Sequence, residues 1–471
     1  MNDAAYPATI DRPVAPAERF FTRSPFSIVT VVARIKGHVS ETMLRNAVDR
    51  LRLRHANLRV RIIEDEQHAP WFTSEGAEEI AVASEPRDSD EQWLDVLERE
   101  SRIPFAFDRR PAIRFVLLES DDRSDVVILC HHILCDGLSL AYLVRDLMVH
   151  LADPSREADA LPDPIPIDLD TLPAEARPNA LARALIGRMN RTWRRSPVFF
   201  DQQDYLDLSA AYWDRIHART LAAELSEDET SALVDRCRRE RVTVNSALTA
   251  ALIDAQIFVQ GIGANPSLLA IAANLRDRLP IDPGQAMGFY AGAARFKHRP
   301  DPRVDFWENA RRLHRRATPL LRGRPVLRAP ATWCLLDPAI LEAMNFKKLG
   351  GLVSADAPRH RKLAAFARRP DVVRRLLRHE GMDCLDRISL GASVTNLGRL
   401  EFQRRYGDLE LDRLLFQPGG AFPLTQVGLV LGAATCSSKL TLTLESAERR
   451  ADAAVLHDVL ARTLALLHSD D

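Results

Sequence analysis

Long apolar runs are missing from this chain of 471 residues. No uninterrupted apolar stretch approaches the roughly 18 residues that a membrane-spanning helix needs, and no basic N-terminus leads into an apolar segment. A strong excess of positive charge is also missing, because the chain has 64 basic and 65 acidic residues and a net charge of -1. Since nucleic-acid-binding domains are usually strongly basic, we expect no nucleic-acid partner. From the lack of long apolar runs we expect a cytoplasmic protein without a transmembrane segment.

Cysteine is scarce, and the six cysteines are scattered along the chain. They stand in apolar or helical surroundings and form no C-x-x-C pair, which favours reduced thiols over a disulfide framework. Their positions are Cys130, Cys135, Cys237, Cys334, Cys384 and Cys436.

Apolar residues make up 46% of the chain and charged residues 27%, a composition typical of soluble globular proteins. A chain of this length exceeds one ordinary hydrophobic core, so we expect two or three domains. The clearest change in composition runs from Asp153 to about Pro178, where six prolines fall among acidic and small residues. We interpret this stretch as a linker that ends an N-terminal lobe, residues 1–178, and precedes a C-terminal lobe, residues 179–471. Predicted strands and helices alternate on both sides of it, which indicates an α/β fold.

The most informative stretch is residues 126–151. Residues 126–130, Val-Val-Ile-Leu-Cys, form a short apolar run that predicts a buried strand. Downstream, apolar residues recur at the spacing of one helix face, which predicts an amphipathic helix. These apolar positions are Leu140, Leu143, Val144, Leu147 and Leu151. The sequence therefore predicts a strand, a loop and a helix, with residues 131–137 in and beside the loop.

Four residues of this segment carry chemistry. His131 and His132 are neighbours at a strand end, so their side chains point in opposite directions and only one can reach a given cavity. A histidine can accept a proton near neutral pH. A buried carboxylate at Asp136 would need an arginine partner, and Gly137 permits a backbone conformation that other residues resist. The segment indicates an active site with one histidine as the base.

Three other interpretations stay open on the residues alone. The histidines and Asp136 could be ordinary polar residues at a strand end. The histidines could bind zinc together with Cys130 or Cys135, although neighbouring histidines on an extended strand diverge and no H-x-x-x-H cluster accompanies them. Cys135 could also be a nucleophile, since it lies close to histidine.

Residues 131–137, His-His-Ile-Leu-Cys-Asp-Gly, match HHxxxDG, the signature of the condensation-domain superfamily of acyltransferases. Further segments resemble other elements of that family, among them an early RHxxLR element, the helix that begins the second lobe, and a later arginine and GxF region. These segments are residues 16–21, 51–59, 242–248, 273–276 and 287–290. The resemblance extends over most of the chain.

Two segments depart from the condensation domains of peptide synthetases. Those domains usually carry asparagine after the GxF element, where this chain has Tyr290. Residues 395–399, Thr-Asn-Leu-Gly-Arg, are more similar to the free-standing, ester-forming members, such as the polyketide-associated acyltransferases of mycobacterial lipid assembly. The resemblance therefore favours ester formation over amide formation.

The resemblance implies two chloramphenicol-acetyltransferase-like lobes in a V-shaped pseudo-dimer, with the active site in a tunnel at the seam. It implies that His132 is the general base and that His131 and Gly137 are structural residues of the motif. It also implies that Asp136 holds the loop through a buried salt bridge to Arg276, although Arg276 could instead be a surface arginine. The candidate residues of the tunnel lining are Tyr290, Asn396 and Gly398.

The activity implied by the resemblance is that of a stand-alone acyltransferase in natural-product or complex-lipid biosynthesis. It would move an acyl group from a thioester to the hydroxyl, or the amine, of a small-molecule acceptor. The donor would carry phosphopantetheine, either on an acyl or peptidyl carrier protein or as coenzyme A. Backbone amides near Gly137 would stabilise the oxyanion. We expect a monomer with no bound cofactor and no metal.

Two alternative functions remain. One is a free-standing condensation enzyme of the nonribosomal-peptide type, which releases a polyketide or peptide chain by amide or ester formation. The other is a non-catalytic scaffold that binds a carrier protein, which the intact histidine, aspartate and glycine of the motif disfavour.

Arginine clusters and one loop have two interpretations each. The clusters at residues 311–328 and 368–378 are either solvated helix faces or a docking surface for an acidic carrier protein or coenzyme A phosphates. The arginine-rich segment 179–195 is either a helix beside the linker or a contact with a membrane or lipid substrate. Residues 417–421 are either a loop that crosses between the lobes and floors the tunnel or a surface turn.

Overall fold

The computed structural model describes residues 11–261, 268–379, 390–419, 427–447 and 452–468. Within these ranges the chain forms two six-stranded mixed sheets and one small three-stranded sheet. The strands are β1 Asp11–Pro13, β2 Ile28–Lys36, β3 Arg61–Glu64, β4 Pro70–Thr73, β5 Ala81–Pro86, β6 Ile113–Glu119, β7 Arg123–His131, β8 Ala218–Leu225, β9 Leu268–Asn274, β10 Ala291–Lys297, β11 Leu390–Arg399, β12 Arg405–Tyr406, β13 Leu409–Gln417, β14 Val427–Cys436 and β15 Lys439–Ala447. The predicted α/β fold of two sheet-containing lobes is confirmed.

Helices connect many of these strands along the chain. They are α1 Pro16–Arg19, α2 Glu41–Arg54, α3 Gln92–Ser101, α4 Gly137–Ala152, α5 Ala180–Arg194, α6 Gln202–Arg215, α7 Glu227–Arg239, α8 Val244–Gln260, α9 Phe306–Arg322, α10 Arg328–Trp333, α11 Pro338–Leu349, α12 His360–Arg368, α13 Val372–His379 and α14 Ala453–His468. Among the described residues no single helix has the length and apolar character to span a bilayer, and only α7 with α8, bent by 96° where they meet, satisfies that criterion as a pair.

The N-terminal lobe is built on the sheet β12-β13-β2-β7-β6-β5. Its central strands β2 and β7 contain runs of β-branched and other apolar residues, and nearly all of their residues are buried. Helices α2 and α4 pack against each other, α4 contacts β2 and β13, and α3 contacts β2 and β7. This packing fixes the end of β7, where the candidate site begins.

The C-terminal lobe is built on the sheet β10-β9-β11-β14-β15-β8. Helix α8 lies against α9 and α14 and contributes the buried side chains of a second hydrophobic core. Because β11 pairs in parallel with both β9 and β14, its C-terminal end, with Asn396 and Gly398, emerges in the middle of this sheet.

Strand β13 connects the two lobes. It lies far beyond the predicted boundary at residue 178, yet it pairs antiparallel with β2 of the N-terminal sheet. On the side of the C-terminal lobe, the hydroxyls of Thr441 and Thr443 donate to the carbonyl oxygens of Leu414 and Phe416 at 2.7 and 2.6 Å. The division into residues 1–178 and 179–471 does not describe this strand, because the sheet that a strand joins is decided by contacts between segments distant along the chain.

A third group of helices was not predicted. Helices α5, α6, α11, α12 and α13 share a hydrophobic core of their own, which we call the helical subdomain. The rings of Phe200 and Phe346 stack at its centre, with centroids 3.9 Å apart. The stretch that we interpreted as a linker precedes this subdomain and is irregular apart from one 3-10 turn at Ala174–Ala176.

Candidate active site

The predicted strand, loop and helix are present. Strand β7 ends at His131 and α4 begins at Gly137. Asp136 is the N-cap of α4, and its Oδ1 accepts a hydrogen bond from the backbone N–H of Ser139 at 2.7 Å. The residues between β7 and α4 are therefore fixed by the strand on one side and by the N-cap of the helix on the other.

His131 points into the core of the N-terminal lobe. Its Nε2 lies 2.9 Å from the carbonyl oxygen of Ser24, and Phe107 packs edge-on against its ring at 4.9 Å. Burial without a counter-charge lowers the pKa of His131 to about 3. His131 is therefore a neutral structural residue at physiological pH.

His132 points the other way and is half-buried. Its Nδ1 lies 3.0 Å from the carbonyl oxygen of Cys135, and since a carbonyl can only accept, Nδ1 carries the proton and Nε2 is a base. Burial lowers the pKa of His132, whereas the carbonyls of Cys135 and Pro418 and the charge of Asp136 favour the protonated ring. The ring is thus neutral near pH 7 and its imidazolium has stabilising partners.

Aromatic rings surround His132. Phe21 stacks on it with centroids 4.8 Å apart, and Phe289 of the C-terminal lobe meets it edge-on at 5.7 Å. Trp333 stacks on Phe20 at 4.3 Å and lies 6.3 Å from Phe21. These four rings, which we call the aromatic wall, give the imidazole a weakly polar environment with contributions from both lobes.

The predicted salt bridge between Asp136 and Arg276 is confirmed. Arg276 Nη1 lies 2.8 Å from Oδ2 of Asp136 and Nη2 lies 3.2 Å from Oδ1, a bidentate arrangement. Burial alone would raise the pKa of Asp136, but the charge and hydrogen bonds of Arg276 and Ser139 keep it below its ordinary value. Both side chains are buried, which excludes the interpretation of Arg276 as a surface arginine.

Further hydrogen bonds tie the loop to the C-terminal lobe. The N–H of Tyr290 donates to Asp136 at 3.0 Å, and the N–H of Asp136 donates to the carbonyl of Gly288 at 3.0 Å. Asn57, in the segment that resembles RHxxLR, donates to the carbonyls of Leu134 at 3.1 Å and Met287 at 3.0 Å. The sequence singled out the segment around Asn57 but not this bridging role, which depends on two loops that are distant along the chain.

The expectation for Gly137 is wrong. Its backbone does not have positive φ, unlike that of Gly398, whose φ is +75°. Instead, a Cβ at residue 137 would lie 2.6 Å from the ring of Phe416 and 2.9 Å from Cδ2 of Leu397. Gly137 is therefore required by the close approach of β13 and β11 and not by its own conformation.

The three candidate lining residues occupy different environments. Tyr290 is buried under the guanidinium of Arg276, 4.5 Å from the ring centroid, and burial raises the pKa of its hydroxyl. Asn396 and Gly398 are half-buried, and Oδ1 of Asn396 accepts from the N–H of Gly398 at 2.8 Å. Leu397, between them, brings this strand end against the start of α4. Their role in a tunnel stays a prediction.

The cysteines of the motif have no catalytic geometry. Cys130 and Cys135 are buried, with each Sγ 3.7 Å from the carbonyl oxygen of His131, and burial raises the pKa of Cys135 well above its ordinary value. Cys135 therefore does not supply a thiolate. In the part of the chain that the structure describes, no group of three His, Cys, Asp or Glu residues is arranged to hold a metal ion. Cys384 lies outside the described residues.

An interlobe cavity of about 380 Å³ lies between α3 and β8, and its wall includes Ile28, Gln417 and Glu445. Gln417 donates to the carboxyl of Glu445 and accepts from the N–H of Gly419 at 3.1 Å. Burial raises the pKa of Glu445 to about 8. The segment predicted to cross between the lobes does so at residues 417–419, while residues 420–421 lie outside the described ranges. Nothing in the sequence singled out Glu445.

Two family models match successive parts of the chain. The condensation domain matches residues 16–158, which contain the histidine motif, and the phthiocerol/phthiodiolone dimycocerosyl transferase C-terminus matches residues 216–333, which contain Arg276. The chain belongs to the condensation-domain superfamily of acyltransferases. The predicted resemblance is thereby confirmed.

Curated and solved proteins agree with this membership. The chain is 26% identical over 233 residues to the nonribosomal peptide synthetase dtxS1 of Metarhizium robertsii; the match covers 48% of this chain but only 2% of that synthetase. Polyketide synthase associated protein 5 from Mycobacterium tuberculosis has a similar fold, with a TM-score of 0.59, 15% identity and coverage of 97% of this chain and 98% of that one. The TRI3 trichothecene 15-O-acetyltransferase from Fusarium sporotrichioides gives a TM-score of 0.62 at 13% identity, covering 97% and 96%. At these identities the solved structures establish the fold.

Proposed function

We propose that this superfamily member is a stand-alone acyltransferase that transfers an acyl group from a phosphopantetheine thioester to a hydroxyl or, with lower preference, to an amine. The observation that carries the proposal is His132, whose Nδ1 is anchored by a carbonyl and whose Nε2 is left as a base beside the aromatic wall. The acyl donor is a carrier protein or coenzyme A. The products belong to natural-product or complex-lipid biosynthesis.

The chemistry assigned to His132 is general base catalysis. Nε2 takes the proton of the acceptor hydroxyl while the hydroxyl oxygen attacks the thioester carbonyl. This attack forms the new C–O bond and an oxyanion. The first N–H groups of α4 have no acceptors within the helix, so those near Gly137 are the candidate donors to the oxyanion. When the C–S bond breaks, the sulfur leaves with the proton held by His132. One thioester and one alcohol give one ester and one thiol.

The other motif residues act through position in this proposal. Asp136 and Arg276 neutralise each other, so neither takes part in proton transfer, but together they fix the start of α4 against the C-terminal lobe. His131 anchors the strand end to Ser24. Preference for a hydroxyl rests on residues 395–399 and on the second family model, which is named for a dimycocerosyl transferase.

The test is single-turnover acyl transfer from carrier-bound and coenzyme A thioesters to a panel of alcohols and amines, followed by mass spectrometry. For His132→Ala we expect a loss of about 10²–10⁴-fold, because one positioned base contributes that much. Cys135→Ala is the matched control in the same loop, and it should keep near-normal turnover because its thiol is buried.

Unchanged turnover by a folded His132→Ala would move the base elsewhere, and loss of turnover in Cys135→Ala would point to a nucleophile instead. If the wild type transfers acyl groups only to amines, the condensation enzyme of the peptide type replaces the ester-forming enzyme. A wild type that binds carrier protein but transfers to neither class of acceptor would be a scaffold.

A further inference from the structure

Positive charge is concentrated in two segments that are distant along the chain. Residues 176–200 contain six arginines and no acidic residue, and residues 357–379 contain eight basic residues and one acidic residue. The whole chain nevertheless has a net charge of -1. The remaining residues therefore carry an excess of negative charge, and the positive charge is local.

The fold brings these two segments together on the helical subdomain. Helix α5 contacts α13, Arg369 donates to the carbonyl of Ser196 at 3.0 Å, and Trp193 packs against Phe366. The exposed arginines on α5, α12 and α13 thus form one surface, which we call the basic face. The exposed arginines on these helices and at the C-cap of α5 are Arg183, Arg188, Arg191, Arg194, Arg195, Arg361, Arg368, Arg374, Arg375 and Arg378.

The arginines of α5 differ from those of α9. On α9, Arg311, Arg312 and Arg315 pair with Glu308, and Arg312 also pairs with Asp301, so this first part of the helix carries its own counter-charges. On α5 and at its C-cap, Arg194 pairs with Asp337, but among the described residues Arg183, Arg188, Arg191 and Arg195 have no acidic partner within 4.0 Å. Their charge is available to a partner.

Apolar side chains accompany this charge. Leu181 and Leu185 of α5 are 71% and 56% exposed, and Phe199, just beyond the helix, is 36% exposed. The opposite side of α5 packs into the helical subdomain through Ile186 and Trp193. Exposed leucines beside arginines are a composition typical of protein interfaces, where charge directs the encounter and apolar contacts hold it.

The basic face is attached to the aromatic wall. Asn190 of α5 donates to the carbonyl of Leu335 at 2.8 Å and accepts from the N–H of Asp337 at 2.9 Å. Trp333 ends α10 two residues before Leu335 and lies against Phe21, which stacks on His132. A partner on the basic face would therefore lie on the side of the protein where Trp333 borders the site.

We propose that the basic face docks the acidic carrier protein that delivers the acyl thioester to His132, an inference that rests on the proposed function. Acidic side chains of the carrier and the phosphate of its phosphopantetheine arm both complement arginine forks. Coenzyme A could use the phosphate contacts alone and would leave Leu181 and Leu185 uncovered. An anionic membrane is a weaker fit, because the main apolar side of α5 is already buried in the subdomain.

The experiment compares two double variants. The first combines Arg188→Glu and Arg191→Glu on α5, and the matched control combines Arg238→Glu and Arg239→Glu on the exposed end of α7. For each protein, kcat/KM is measured with one acyl group on a carrier protein and on a short pantetheine thioester. We expect roughly a tenfold or larger loss for the α5 variant with the carrier donor, shrinking as salt is added, and little change with the short thioester. The control should change little with either donor.

Equal losses with both donors, or an unchanged carrier reaction, would overturn the docking proposal. A wild type that uses neither donor would instead overturn the proposed function, so the two failures are distinguishable. Binding of the wild type to vesicles of anionic phospholipid, lost in the α5 variant while carrier kinetics stay the same, would assign the face to a membrane and likewise contradict the proposal.

Discussion

The two neighbouring histidines at the end of β7 differ more in their environments than their identical side chains suggest. His131 and His132 are adjacent and chemically identical, but the first is fully enclosed by the N-terminal lobe and the second is half-buried beside rings from both lobes. The His131 ring is held at both nitrogens, at Nε2 by the carbonyl of Ser24 and at Nδ1 by the N–H of Ile133 at 3.3 Å, whereas Nδ1 of His132 is held by the carbonyl of Cys135. Burial and the occupation of both ring nitrogens therefore remove His131 as a base, whereas His132 keeps Nε2 for that role.

Loss of the Asp136–Arg276 pair should have the largest effect on stability. Asp136→Asn leaves the buried guanidinium of Arg276 without its counter-charge, and breaking one partner of a buried pair costs about 3–5 kcal/mol in the free energy of unfolding. Chemical denaturation measures this cost.

Asp235→Asn is the control, because Asp235 forms an exposed pair with Arg238 and surface pairs contribute little. If the two variants lose equal stability, the Asp136–Arg276 pair does not fix the loop.

His131→Ala should distinguish a structural role of His131 from a catalytic one. We expect a loss of about 2–4 kcal/mol in unfolding free energy at pH 7, because the change leaves a cavity and removes the partner of the Ser24 carbonyl. The pKa of His131 is about 3 in the folded protein and 6.5 ordinarily, so its contribution is present above pH 6.5 and lost as the pH falls towards 3.

Denaturation between pH 7 and pH 4 measures both effects. The variant should lose part of the acid sensitivity of the wild type. A variant as stable as the wild type, with a strongly reduced rate of acyl transfer, would assign the chemistry to His131 and reverse the comparison.

Gly137→Ala should have the smallest effect on stability. The new Cβ meets the Phe416 ring at 2.6 Å, and overpacking of this kind typically costs about 1–3 kcal/mol. Gly398→Ala is the informative control, because its Cβ meets open space and only the positive φ opposes the change. A larger cost for Gly398→Ala in thermal denaturation would show that conformation matters more than contact.

The sequence predicted local features well. The strand, the loop and the helix around His132 follow from periodicity, and the partner of Asp136 follows from the family resemblance, which supplies both ends of the pair. Features made by contacts between distant segments were missed or wrong. Gly137 is constrained by Phe416 and Leu397, both more than 250 residues away, so no local pattern could give its reason.

The same limit applies to the connection between the lobes. Strand β13 was not predicted, and its pairing with β2 depends on the tertiary fold. Glu445 stands in an apolar strand, and its role beside Gln417 becomes visible only when the two lobes meet. The helical subdomain has ordinary helical patterns whose shared core joins segments 150 residues apart.

The most direct test of His132 as the base compares the pH dependence of the single-turnover rate with the NMR titration of the His132 ring. Burial lowers the pKa of His132 from the ordinary value of 6.5, and the base must be neutral to act. If His132 is the base, the rate rises with pH through one midpoint below 6.5. This midpoint coincides with that of the His132 titration, which is identified by its absence from His132→Ala. A midpoint above 6.5, or one that the His132 ring does not share, would contradict this role of His132.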